Sequence, residues 1–151
     1  MKNIFAFLFL SLFLGACTTS KIAYQRTGEV VYVGRDGNST LTVESNGFGS
    51  NLNDAVFFAE KNTFENLFFK GVPNSNQQAP MIPNEHKAVQ EHAAFFDSFF
   101  HSGEYRKYVI SSNLLHKLNK KGMSVTQELT VDIAALRKRL EQEKIIRKFG
   151  I

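Results

Sequence analysis

A single cysteine constrains this chain more than any other residue. Cys17 is the only one, so no disulfide can cross-link the fold and the core must hold by packing alone. Its neighbours suggest another use for the thiol. The chain opens MKNIFAFLFLSLFLGACTTS: one lysine, an apolar run from Ile4 to Leu14, then small residues up to the cysteine. That run is too short to span a bilayer as a mature helix and has the layout of an export signal. Leu14, Gly15, Ala16 and Cys17 match the bacterial lipobox, in which cleavage falls directly before a cysteine whose thiol takes a diacylglycerol.

The organisation expected from this is a lipoprotein signal peptide at 1–16, a lipidated tether at 17–28 and a single domain at 29–151. At about 0.8 kcal/mol per buried methylene, two or three acyl chains hold a protein on a membrane stably. Thr18 stands where an aspartate would retain a lipoprotein at the inner membrane, so the expected location is the outer membrane. The tether has no acidic cluster of the kind that directs lipoproteins to the cell surface, which points to the periplasmic face. The remaining length suits one domain and hardly two.

Residues 29–45 read as a hairpin, with β-branched runs on either side of a turn at Asp36 and Gly37. In the second run Leu41 and Val43 fall on one side, and Thr40, Thr42 and Glu44 on the other. Leu52 to Phe69 has helical periodicity, with Ser50 or Asn51 as cap, and is apolar over most of its circumference. Such a helix is either enclosed in a core or partly a binding surface. A loop holding all three prolines follows, then a helix predicted over Glu85 to His101 with Ala88, Val89, His92, Phe95, Phe96, Phe99 and Phe100 on one face. EYRKYVIS is strand-like, NLLHKLNKKG fits strand or a short helical excursion, and MSVTQELTVDI alternates as a strand. Asp132 can cap a last helix whose apolar contacts are Ile133, Leu136 and Leu140. The fold class is therefore α+β: an antiparallel sheet of two hairpins with two main helices on one face and a short C-terminal helix.

Three kinds of chemistry find little support. Gly47 and Gly49 sit between a strand and a helix, but a dinucleotide site needs a third glycine where Leu52 stands, and no Gly-Lys-Ser or Gly-Lys-Thr follows. The two glycines are expected to turn the chain, with positive φ at one or both, and to hold no nucleotide. His86, His92, His101 and His116 lack metal-ligand spacing. No nucleophile elbow or paired carboxylates appear, so neither a catalytic residue nor a cofactor or metal site is assigned.

Charge is more informative. Residues 17–101 carry 6 Lys and Arg against 9 Asp and Glu, while 102–151 carry 11 against 5. A basic surface in the periplasm would meet acidic glycan, lipid head groups or an acidic protein, and the location argues against nucleic acid.

Val43, Gly47, Gly49, Ala55, Ala59, Gly71, Phe99, Gly103, Tyr108, Val125 and Val131 follow one further pattern. Together they are similar to the periplasmic strand-helix-strand-strand modules of small bacterial lipoproteins, such as the Helicobacter membrane-associated lipoprotein family and the N-terminal domain of the flagellar T-ring protein. The C-terminal DIAALRKRLEQEKIIRKFGI also resembles the ends of small Bacteroidetes lipoproteins. The resemblance implies a non-enzymatic envelope module that docks to other components. The expected function is thus a lipid-anchored accessory or scaffolding protein of the outer membrane, working by protein contact. The alternative is a module that binds cell-wall glycan or anionic lipid through its basic half. Phe57, Phe64 and Phe68 on the first helix, and Arg137, Arg139, Arg147 and Lys148 near the C-terminus, are the candidate partner surface.

Overall fold

A computed structural model describes residues 28, 30–34, 37, 39–119 and 122–148. The expected signal peptide, Cys17 and nearly all of the expected tether lie outside the described residues. Among those described, the elements run β1 (Val30–Tyr32), β2 (Thr40–Gly49), α1 (Leu52–Phe69), α2 (Glu85–Glu91), α3 (Ala93–His101), a 3₁₀ turn (Glu104–Tyr108), β3 (Val109–Asn119), β4 (Met123–Asp132) and α4 (Ile133–Gln142). The fold is α+β. Its four strands form one antiparallel sheet in the order β1-β2-β4-β3, so the two hairpins meet where β2 pairs with β4.

Alternation along β2 and β4 sends Leu41, Val43, Leu129 and Val131 to one face, where all four are buried. Phe64, Leu67 and Phe68 of α1 pack with them, as do Leu136 and Leu140 of α4. The α3 residues Phe95, Phe96, Phe99 and Phe100 close this core. Ring pairs such as Phe64–Phe99 at 5.5 Å and Phe68–Phe99 at 5.1 Å have the tilted or edge-on geometry that aromatic quadrupoles favour. Phe64 and Phe68 are fully buried, so the expectation that they form a partner surface is overturned. Phe57 is partly buried and packs against the same core.

The two glycines have a different role from the expected turn. Both lie inside β2, with Gly47 opposite Val125 and Gly49 opposite Met123, and neither has a positive φ. They face α1. A Cβ on Gly47 would come within 2.0 Å of the Ala55 carbonyl oxygen and 2.4 Å of the Ala59 nitrogen; one on Gly49 would come within 2.5 Å of the Ala55 nitrogen. Ser45, next on the same face, donates its hydroxyl to the Ala59 carbonyl at 2.7 Å. A row of Ser45, Gly47 and Gly49 therefore meets Ala55 and Ala59, and backbone packs almost directly on backbone.

Asn51 caps α1 by accepting from the Asp54 N–H at 3.0 Å, and Asp132 caps α4 by accepting from the Ala135 N–H at 2.8 Å. The helix predicted over Glu85 to His101 is broken at His92, whose φ of −123° and ψ of 35° leave the helical region. The break leaves Val89 exposed while α3 delivers its four phenylalanines to the core. EYRKY forms the 3₁₀ turn, and NLLHKLN continues as strand.

Candidate functional site

β3 is an edge strand of eleven residues, and everything in it from Ile110 to Asn119 is exposed. Its inner edge pairs with β4, with register shifts between Val109 and Ser111 and between Leu114 and His116. Each shift inserts one extra residue: Ile110 in the first, Leu115 in the second. Both are aliphatic and exposed, and bulges are a means of re-aiming side chains. Leu118 follows on the sheet face away from the helices, in one row with Ser124 and Phe48. Ile110, Phe48 and Leu118 are 58, 58 and 60 % accessible. Apart from the exposed Val31 of β1, the rest of that face is mostly polar, with the Thr42 and Thr130 hydroxyls 3.1 Å apart and Thr126 donating to Asn46 Oδ1 at 2.6 Å. Edge strands are blunted by proline, by several charges or by bulges, and in β3 the two bulges are the device present. β3 has no proline and one formally charged residue, Lys117.

The start of β3 is held by a buried polar cluster. The Tyr105 hydroxyl donates to Glu60 Oε2 at 2.6 Å, and Arg106 Nε lies 3.4 Å from the same oxygen. Burial pushes the Tyr105 phenol above its ordinary value, and the Glu60 carboxylate reinforces this. Glu104, in the same turn, pairs with Arg139 at 3.2 Å and with Lys107 at 3.8 Å. Tyr108 is likewise raised, by burial first and the Glu104 charge second.

A groove of about 620 Å³ lies between α2 and the residues after α4. Met81, Ile82, Ile145 and Ile146 give it an apolar floor, and Lys87, Arg137, Lys144 and Arg147 lie around it with one acid, Glu91. Arg137 is positioned by a hydrogen bond of 2.8 Å to Oε1 of the buried Gln77. Lys144 occupies the left-handed position that ends α4, with φ of 59°, a place that glycine usually takes. After it the Ile145 N–H returns to the Leu140 carbonyl at 3.0 Å, which folds both isoleucines back onto the core.

Of the four basic candidates, Arg137 and Arg147 share this groove, and Lys148 joins Arg147 and Lys144 in a shallower depression beside it. Arg139 is engaged elsewhere: it pairs with Glu104 and Glu143, and its guanidinium stacks over the Phe95 ring. The sequence reading missed Lys87, Lys144 and the Met81–Ile82 floor. An apolar pair enclosed by Pro80 and Pro83 was the available signal for that floor.

Among the described residues no group of three or more His, Cys, Asp or Glu could hold a metal ion. His101 makes a local pair with Asp97 at 2.7 Å. No helix among them is long and apolar enough to cross a membrane. The chain matches no protein-family model, no curated protein and no solved structure.

Proposed function

We propose that the chain is a lipid-anchored accessory or scaffolding protein of the bacterial cell envelope, held through Cys17 at the periplasmic face of the outer membrane and acting by protein–protein contact without catalysis. The observation that carries this reading is β3. A domain that buries Phe64, Phe68, Phe96 and Phe99 leaves Ile110, Leu114, Leu115 and Leu118 in water along an open strand edge. An edge of this kind suits strand addition by a partner, with backbone hydrogen bonds for affinity and alternate side chains for choice. The chain runs β2, α1, α2, α3, β3, β4, so the strand-helix-strand-strand order of the likeness is met with α2 and α3 inserted before the second pair of strands.

Two measurements test it. Cells fed a labelled fatty acid should label the wild-type chain and leave Cys17→Ala unlabelled; label retained by the variant contradicts the anchor. A photoreactive residue at Leu115 should yield one adduct of discrete mass in the intact envelope. No adduct there contradicts the contact surface.

A further inference from the structure

We infer that the groove between α2 and the end of α4 binds the phosphate head group of an anionic membrane lipid, so that the domain lies against the bilayer that anchors it; this rests on the anchored reading above. Charge and shape give the ligand class. Lys87, Arg137, Lys144 and Arg147 surround the groove against the single acid Glu91, while Ile145 and Ile146 form apolar floor beside them. A cationic rim on an apolar floor complements a molecule with a negative head and a hydrocarbon body.

The rim is also built rather than incidental. Gln77 is buried, accepts from Arg137 through Oε1, donates its backbone N–H to Ser75 Oγ and donates its side-chain amide to the Ala79 carbonyl. The guanidinium is thus held in place by a side chain that is itself fixed. Lys144 keeps a long cationic side chain where the backbone favours glycine.

Position selects a bilayer over other sources of phosphate. Gly28, the first described residue, accepts from the Asn66 side chain at 3.3 Å. The next two residues of α1 accept from the groove floor: Leu67 from the Met81 N–H at 3.0 Å, Phe68 from the Ile82 N–H at 2.8 Å. The tether and the groove floor therefore meet α1 at consecutive residues, within about the width of one helix. The chain from Cys17 to Gly28 reaches at most about 40 Å. An acylated Cys17 therefore lets this end of the domain reach the lipid surface.

The test uses the full chain as purified from bacterial cells, mixed with vesicles of phosphatidylcholine alone or of phosphatidylcholine with phosphatidylglycerol, read by flotation and by backbone hydrogen exchange. The expected result is flotation with both, and slower exchange over residues 81–92 and 143–147 only where phosphatidylglycerol is present. The triple variant Lys87→Gln, Lys144→Gln, Arg147→Gln changes exposed residues only, so it should fold, and should lose about tenfold or more of that protection. Flotation with both vesicles and equal exchange in both overturns the groove and leaves the anchor standing. Flotation with phosphatidylglycerol vesicles alone, abolished in the triple variant, removes the anchor and supports the groove. Flotation with neither overturns both. Protection by inorganic phosphate equal to that from vesicles overturns the bilayer as the source.

Discussion

β2 and β3 are strands of similar length in one sheet, both rich in small and aliphatic residues, and they have opposite fates. β2 turns Ser45, Gly47 and Gly49 towards α1, and a helix lies so close that a single methyl group would collide with its backbone. β3 leaves Ile110, Leu115 and Leu118 largely exposed in the described molecule. Covering one strand this tightly and leaving the other bare teaches that apolar surface is not in short supply of cover by accident of size. α1 and α3 between them bury six phenylalanines in the core. Stability lives on the β2 side and the proposed recognition on the β3 side, and substitutions should separate the two.

The largest effect is expected at the seam. Gly47→Val should lift α1 from the sheet and cost about 4 kcal/mol or more, seen as a large fall in the midpoint of thermal unfolding. A variant as stable as wild type would mean that the helix does not sit this close.

Next in size is the link between the two regions. Tyr105→Phe removes the donor to Glu60 and should cost about 1–3 kcal/mol in denaturant unfolding. Its pH dependence has a definite sign. Burial raises the Tyr105 phenol in the folded state, so its contribution is whole below the ordinary tyrosine value of 10.0 and is lost as pH climbs above it. Wild type should lose stability above that pH more steeply than the variant, and Tyr108, raised in the same direction, contributes to the slope that remains.

Lys144→Gly should have a smaller effect of the opposite sign, stabilising the domain by about 0.5–1 kcal/mol because glycine tolerates φ of 59°. The same change should weaken contact with anionic vesicles. Smallest of all is the expected effect of Leu115→Asn with Leu118→Thr, which should move stability by no more than about 0.5 kcal/mol while abolishing partner contact. A large loss of stability there would make β3 a structural strand and erase the contrast with β2.

How much of this was legible in the sequence depended on how local its cause is. The bounds of α1, the Asn51 and Asp132 caps and the inward set Leu41, Val43, Leu129 and Val131 follow from periodicity and capping, which act over a few residues. The role of Gly47 and Gly49 did not follow, because it needs Ala55 and Ala59 brought opposite them by tertiary packing. The same tertiary choice buried Phe64 and Phe68: an apolar helix surface looks alike in sequence whether it meets a core or a partner. Nothing local explains the break at His92, since neither proline nor glycine is present there. The groove was half visible, as a run of basic residues near the C-terminus. Its floor comes from the proline loop some sixty residues earlier, joined to Arg137 by Gln77. The second half of β3, NLLHKLN, fits strand or helix in sequence because its apolar residues do not alternate cleanly, and the bulge at Leu115 is the physical reason.

The most direct test of the contrast between β2 and β3 is site-specific photocrosslinking in the intact envelope, with the reactive residue placed in turn at Leu114, Leu115 and Leu118 and, as control, at the exposed Ala134 of α4. The account predicts adducts of one discrete mass from the three β3 positions and none from Ala134. Adducts from Ala134 as abundant as those from β3, or none from β3, would contradict it.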